Sequence, residues 1–260
     1  MPQQTPQDYS GIFSQRAHSY HRAMQAHPTA RDEEFRAAIA WCTFRPAARV
    51  LDVPSGAGYL TRHLDRRDLS LLCVDPSAAF STLGRQIVPG SSVQAEARHL
   101  PLADASTDVI ISLAGLHHEN DRHPLFMEWR RVIRPDGQLL IAEVETGSAV
   151  AAFLDGFVDR YNPMGHRGAF VDTGFRQELT AAGWRIERDA LTESCWRFGS
   201  LVAMTDFFRH LFDLRRASDS RILNGIRTHL GWHQDRNGIA VPWPLRQLLA
   251  TPGDLTAAVT

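Results

Sequence analysis

The sequence predicts an α/β fold, a mostly parallel sheet with helices on both faces, and three observations lead to this prediction. Short apolar runs rich in Val, Ile and Leu alternate with segments of helical periodicity. The run at residues 49–53 leads directly into a glycine turn. The 260 residues, 43% of them hydrophobic, are enough to bury one sizeable core. We therefore expect a single domain over residues 1–260.

The composition narrows the classes of function. A formal net charge of −1, with Arg but no Lys, gives no field that would attract nucleic acid or an anionic membrane. No apolar stretch reaches membrane-spanning length, and residues 1–8 lack the features of a signal peptide. Cys42, Cys73 and Cys195 suggest neither disulfides nor a zinc site. We expect a cytoplasmic protein that binds neither nucleic acid nor membrane.

The residues before the glycine turn are expected to form a helical cap over residues 1–45. Phe35, Ala38, Ile39 and Cys42 recur at helical spacing, which indicates one buried helix face. A helical segment, rather than a first strand, is therefore predicted ahead of the sheet.

Residues 49–61 predict a strand, a tight turn and a helix. Gly56 and Gly58 allow the backbone to turn sharply and to approach a ligand closely. A dinucleotide fingerprint would need a third glycine where Thr61 stands, and no P-loop sequence is present. Asp52 ends the strand and would repel a phosphate, so the turn suits a ligand that carries an amino group.

Three more strands are predicted to follow. The apolar run at residues 69–77 ends in Asp75, roughly 20 residues beyond the glycines, where nucleotide-binding α/β folds hold a ribose. A third strand near residues 92–95 precedes Glu96, and a fourth covers residues 107–113. The carboxyl ends of these strands are expected to form one ligand-binding edge.

Four segments, in this order, resemble the motifs of class I S-adenosylmethionine-dependent methyltransferases. They are LDVPSGAGYLT at 51–61, the strand that ends in Asp75, the segment EARHLP at 96–101 followed by DVI at 108–110, and EWRRVIRPDGQL at 128–139. The resemblance covers residues 46–145. It implies a Rossmann-like seven-stranded sheet, mostly parallel with the last strand antiparallel, that binds S-adenosylmethionine and releases S-adenosylhomocysteine.

The resemblance also implies roles for residues at this edge. Asp75 would hold the ribose, Glu96 the adenine amino group, and the Ala97 backbone the ring edge. Residues 9–21 resemble the segment that closes over the cofactor in the ubiquinone-biosynthesis type. Pro54 replaces a usual glycine, so the loop near the methionine part must differ. The predicted cofactor-binding residues are Tyr20, Asp52, Pro54, Gly56, Gly58, Asp75, Pro76, Glu96, Ala97 and Leu113.

Each of these assignments has a simpler alternative. Asp75 could serve only as a helix cap or turn former. Glu96 could be an exposed loop carboxylate. Residues 9–21 could form an amphipathic surface helix without ligand contact.

His117 and His118 follow the fourth strand and are the candidate catalytic residues. A His near its ordinary pKa can take the proton of a hydroxyl acceptor, and we prefer His117 because it leaves the strand first. His21 and His166 are secondary, substrate-contacting candidates, although a lone His is often structural. Adjacent His residues do not easily chelate one ion and match no zinc spacing, so no metal site is predicted.

The carboxyl third carries an insertion. Helices are predicted at 149–161 and 173–182 and a sixth strand at 184–190. About 45 aromatic-rich residues follow, expected to wall the acceptor pocket with Trp196 and Phe207, or alternatively to form a dimer surface. The predicted parts are a helical cap (1–45), a core (46–190), a helical insertion (191–237) and the last strand with the tail (238–260).

The predicted function is transfer of a methyl group to a small, largely apolar metabolite through O, N or C. Phenols, polyketides, quinones and heteroaromatics all fit an apolar wall. One alternative is a protein or cyclase that binds S-adenosylmethionine without methylating, which Pro54 supports. A methyltransferase of RNA or protein is disfavoured, because no Asn/Asp-Pro-Pro-Tyr/Phe motif follows the fourth strand and no basic field is present.

Overall fold

Helices and strands alternate along the chain in the computed structural model, which describes residues 9–65 and 68–253. The ends of the predicted cap and tail, residues 1–8 and 254–260, lie outside the described residues. The helices are α1 (Tyr9–Ala26), α2 (Asp32–Ile39), α3 (Ala78–Ile87), α4 (His123–Val132), α5 (Ala149–Ala152), α6 (Asp159–Tyr161), α7 (Thr173–Ala181), α8 (Leu201–Leu211) and α9 (Asp219–His229). The strands are β1 (Ala48–Asp52), β2 (Leu69–Asp75), β3 (Ser92–Gln94), β4 (Thr107–Leu113), β5 (Ile133–Glu143), β6 (Trp184–Thr192), β7 (Cys195–Phe198), β8 (His233–Asp235), β9 (Gly238–Pro242) and β10 (Leu245–Pro252).

The central sheet confirms the predicted fold class. Its seven strands follow the order β3-β2-β1-β4-β5-β10-β6, and β10 is antiparallel to both of its neighbours. Successive residues such as Val50 and Leu51 pack into different apolar clusters, so helices cover both faces of the sheet. The strand order reverses between β1 and β4, and ligands bind at such a point in open α/β sheets.

The glycine turn forms at this reversal point as predicted. Gly56 and Gly58 have φ angles of 57° and 78°, a region that favours glycine because it has no Cβ. A Cβ on Gly58 would also lie 3.0 Å from a methyl carbon of Val88. The helix predicted after the turn, to about His63, is a 3₁₀ helix over Tyr59–His63.

The predicted position of the last strand needs a correction. We expected it near residues 239–249, but only Leu245–Pro252 joins the central sheet. Gly238–Pro242 belongs to a second sheet with the strand order β7-β9-β8. Pro242 is the last residue of β9 and Pro244 precedes β10, and because proline has no N–H to donate, the chain leaves one sheet before it enters the other.

The insertion contains the predicted helices, α8 and α9, and in addition the small three-stranded sheet. The predicted helix at 149–161 is α5 and α6 joined by a π-helical turn at Phe153–Val158. In the described part of the chain, no helix combines the length and the apolar character that crossing a bilayer requires.

Candidate active site

Two adjoining cavities open at the reversal point of the sheet. The turn-side cavity lies against the glycine turn and is lined by Asp52, Pro54, Gly56 and Leu113, among others. The second cavity, here called the imidazole cavity because His117, His118 and His166 line it, lies beneath the insertion. Phe13, Tyr20, Arg31 and Ala114 line both cavities. Two ligands bound side by side would therefore meet near Ala114.

Asp75 lies behind the glycine turn and is almost fully buried, with 1% of its surface exposed. Its Oδ2 accepts hydrogen bonds from the Gly56 N–H at 2.7 Å and from the Tyr9 hydroxyl at 2.8 Å. Its Oδ1 accepts one from the Ser77 N–H at 2.9 Å. Burial raises the pKa of Asp75 to about 7, although these three hydrogen bonds oppose the shift.

Asp52 is buried in a different way, because its Oδ2 has no hydrogen-bond partner among the described residues. Burial, and then the charge of Asp75, raise the pKa of Asp52 well above its ordinary value. Buried polar groups normally find a partner, so an unpaired carboxylate oxygen at a cavity wall is a strong acceptor for an ammonium group.

The other predicted cofactor residues divide into two groups. Tyr20, Pro54 and Leu113 line the turn-side cavity. Gly58 shapes the turn, and Pro76 is buried next to Asp75; neither lines a cavity described here.

The predicted adenine contacts are not assembled. Glu96 is exposed, as the simpler alternative had it, because the short strand β3 ends at Gln94 and the following loop leaves this side chain in solvent. Ala97 is buried in the core, where its carbonyl accepts a hydrogen bond from the Trp129 indole at 3.1 Å. Neither residue lines the turn-side cavity.

His117 lines the imidazole cavity and is held by Glu143 at the end of β5. The His117 Nδ1 lies 2.8 Å from the fully buried Glu143 Oε1. Backbone N–H groups of Leu116, His117 and Val144 also donate to this carboxylate. Burial would raise the pKa of Glu143, but His117 and these N–H groups hold it below the ordinary value. A carboxylate at Nδ1 fixes the proton there and leaves Nε2 free to accept another.

Sequence reasoning missed Glu143. The available signal was the acidic residue that ends the apolar run at residues 139–142, on the same edge as Asp52 and Asp75. Parallel neighbours bring such strand ends together.

His118 and His166 lie beside His117. The centroid of the His166 ring is 5.5 Å from each of the other two rings. Burial lowers the pKa of His166 to about 4, against a hydrogen bond from its Nδ1 to Asp155 at 2.8 Å. Burial and the neighbouring His117 lower the pKa of His118 well below the ordinary value. His21 lies apart from both cavities, with its Nδ1 2.7 Å from the Tyr59 hydroxyl.

One ring nitrogen from each of His117, His118 and His166 lies within 4.8 Å of the others, so these residues could hold a metal ion. The argument from adjacent His residues did not foresee that His166 would join them from a distant segment. A carboxylate at Nδ1 orients an imidazole that binds a metal in the same way as one that accepts a proton, so the Glu143 contact does not distinguish the two roles. The absence of a metal therefore stays a prediction.

The insertion supplies the aromatic wall. Trp196 stacks on Trp243 with ring centroids 3.8 Å apart, and both line the imidazole cavity together with Phe212. Phe207, predicted to contact substrate, lies behind Trp196, packed edge-on at 5.5 Å, and does not line the cavity. Phe212 belongs to the aromatic-rich segment that was predicted to form the wall, whereas Trp243 was missed because only folding brings it next to Trp196.

Comparison with known proteins agrees with this geometry. Residues 51–141 match the family model described as Methyltransferase domain. The chain is 29% identical over 143 residues to a demethylmenaquinone methyltransferase of Beutenbergia cavernae, and this match covers 54% of the chain and 60% of the relative. The chain thus spans less than two thirds of the length of that curated relative.

Solved structures share the fold. An S-adenosylmethionine-dependent methyltransferase of Thermotoga maritima has a TM-score of 0.62 at 15% identity, covering 95% of this chain and 100% of that chain. The cyclase SpnF has a TM-score of 0.61 at 16% identity, covering 95% and 97%. Likeness at these identities shows the fold alone.

Residues 51–141, which hold the glycine turn, Asp52 and Asp75, match the methyltransferase domain, and the sheet has the fold of class I S-adenosylmethionine-dependent methyltransferases. S-adenosylmethionine is the cofactor of this class.

Proposed function

We propose that this protein transfers the methyl group of S-adenosylmethionine to a small, largely apolar metabolite, assisted by His117. One observation carries the proposal. An unpaired buried carboxylate, Asp52, and an imidazole oriented by a carboxylate, His117, line adjoining cavities that share Ala114. This arrangement suits a cationic donor on one side and a hydroxyl acceptor on the other.

The residues of the turn-side cavity fit the donor. Asp52 Oδ2 would accept the amino group of the methionine part, and Asp75 the ribose hydroxyls, in exchange for the Tyr9 hydroxyl. Tyr20 and Leu113 would contact the adenosyl group. Bound S-adenosylmethionine supplies a methyl group on a positively charged sulfur that a nucleophile displaces in line.

The residues of the imidazole cavity position the acceptor and receive its proton. The S–CH₃ bond breaks as the O–CH₃ bond forms, and the hydroxyl proton moves to the His117 Nε2. Glu143 stabilises the resulting imidazolium. Orientation in a closed cavity contributes on the order of 7–11 kcal/mol in favourable cases, and a positioned base adds roughly 10²–10⁴ in rate.

The non-methylating alternative has less support. The likeness to a cyclase shows only the fold, and Pro54 lies in the cavity wall without blocking it. The aromatic wall of Trp196 and Trp243 suits a small acceptor. The reaction is proposed for the cytoplasm, and a homodimer is the alternative use of the insertion surface.

Calorimetry with S-adenosylmethionine and S-adenosylhomocysteine, followed by a metabolite panel screened for the mass gain of one methyl group, tests the proposal. With a positive acceptor, His117→Ala should lower kcat by roughly 10²–10⁴, whereas His99→Ala, at an exposed position, should not. Dialysis against a chelator should leave the rate unchanged. If neither S-adenosylmethionine nor S-adenosylhomocysteine binds, the cofactor assignment is refuted. An unchanged rate in His117→Ala would refute the role of His117 as the base.

A further inference from the structure

Arg16 projects from α1 into the wall of the imidazole cavity and forms no ion pair with any of the described residues. Only 4% of its surface is exposed. Its Nη2 donates to the Leu211 carbonyl at 3.1 Å, and its Nε is buried with no partner among the described residues. A guanidinium presents several N–H donors in a planar fork, so most of this capacity is free.

The carboxylates of the surroundings are already engaged elsewhere. Asp213 accepts two hydrogen bonds from Arg215, at 2.8 and 2.7 Å. Glu143 and Asp155 each lie 2.8 Å from a ring nitrogen of the adjacent imidazoles. Burial lowers the pKa of Arg16 to about 10, with Asp213 opposing the shift only in part. A buried cation that lacks an anion is costly to the folded protein.

Arg31 provides a comparison for Arg16, because it is a second buried arginine in the same cavity wall. It lines the same cavity, but its guanidinium forms two hydrogen bonds with the buried Glu34, at 2.7 and 2.6 Å. Arg31 is therefore satisfied within the protein, whereas Arg16 is not. The simpler explanation is that Arg16 caps α8 through the Leu211 carbonyl, yet that contact uses one donor and leaves Nε buried and unpaired.

We propose that Arg16 is the receptor for a carboxylate on the methyl acceptor, and that the acceptor is a planar aromatic carboxylic acid. The fork of Arg16 matches a carboxylate in two-point geometry. The stacked rings of Trp196 and Trp243, with Phe212, form the flat apolar wall that an aromatic ring needs. This inference rests on the proposed function, since it describes the acceptor of that reaction.

The test compares matched ligands that differ only in charge. Binding of hydroxybenzoates and of the corresponding hydroxybenzamides to the full chain is measured by calorimetry in the presence of S-adenosylhomocysteine. The acids should bind roughly ten- to a hundredfold more tightly than the amides, as expected for a buried charge-assisted hydrogen bond. In Arg16→Gln this preference should fall to about one, and in Arg22→Gln, an equal charge change at an exposed site of the same helix, it should persist.

The outcomes separate the two proposals. If the unaltered protein binds S-adenosylhomocysteine but shows no preference for the acids over the amides, the proposed role of Arg16 is overturned. The proposal of methyl transfer is not affected by that result. Failure to bind S-adenosylhomocysteine counts against the proposed function itself. Retention of the preference in Arg16→Gln also overturns the proposal. If Arg16→Gln does not fold, Arg16→Lys should keep a reduced preference, and an undiminished one contradicts the two-point contact.

Discussion

The two cavities differ in the sign of the groups that they bury. The turn-side cavity has Asp52 in its wall and Asp75 behind the glycine turn, and the pKa of each is raised because burial disfavours the negative charge. The imidazole cavity holds Arg16 and His166, and the pKa of each is lowered because burial disfavours the positive charge. Each cavity therefore has a buried ionisable group whose charge a ligand of opposite sign would compensate.

The largest effect that would sharpen this comparison is expected at Glu143. Glu143→Gln should lower kcat by about a hundredfold or more, because the imidazole loses the carboxylate that orients it and stabilises its protonated form. The KM for S-adenosylmethionine and the Kd for S-adenosylhomocysteine should stay within about twofold. Steady-state kinetics and calorimetry measure both.

A positioning role for Glu143 predicts partial recovery of kcat in Glu143→Asp, which keeps the charge but shortens the side chain. If Glu143→Gln instead weakened the binding of S-adenosylhomocysteine as much as it lowered kcat, Glu143 would support the structure of both cavities rather than position His117.

The next effect is expected at Asp52. Asp52→Asn should weaken S-adenosylmethionine binding about ten- to a hundredfold through the loss of a charge-assisted contact. The same change should stabilise the ligand-free protein, on the order of 1 kcal/mol, because an unpaired buried carboxylate is removed. Chemical denaturation and calorimetry follow the two quantities in one variant.

The control for Asp52→Asn is Asp121→Asn, the same change at an exposed position, which should alter neither quantity. Loss of stability together with loss of binding in Asp52→Asn would mean that Asp52 holds the fold rather than the ligand.

The smallest effect concerns the pH dependence of stability, which the two cavities should drive in opposite directions. Asp75 has its pKa raised to about 7, so the folded state keeps a proton that the unfolded chain loses, and stability falls as pH rises from about 4 to 7. His166 has its pKa lowered to about 4, so the unfolded chain binds the extra proton, and stability rises between about pH 4 and 6.5.

In the unaltered protein these slopes should largely cancel over that range. Relative to it, Asp75→Asn should show a stability that rises more steeply with pH, and His166→Gln one that falls, each by up to about 1.4 kcal/mol per pH unit. Denaturation curves at three pH values measure the difference. Parallel curves for all three proteins would show that neither group carries a shifted pKa.

What the sequence could predict of the site lies on the strands. Asp52, Gly56, Asp75 and His117 follow directly from apolar runs, and the edge to which a parallel strand delivers its carboxyl end is fixed by the topology. The role of Glu96 stays a prediction, because a loop after a short strand decides the direction of its side chain and leaves it exposed.

The residues that sequence reasoning missed come from other parts of the chain. Arg16 and Tyr9 reach the site because α1 packs across the strand ends, and Trp243 because the insertion folds back on Trp196. Their positions depend on long-range packing, for which the spacing of residues along the chain gives no signal.

Residues of α1 line both cavities, so we expect this helix to set the order in which the two substrates bind. Tyr9 of this helix donates a hydrogen bond to Asp75 behind the glycine turn. Phe13 and Arg16, one and two turns further along the helix, line the imidazole cavity. A movement of α1 that admitted S-adenosylmethionine would therefore also open the imidazole cavity. The metabolite therefore has a finished binding surface only after the donor has entered and the helix has returned, and we expect initial-rate kinetics to show compulsory-order addition, with the donor first.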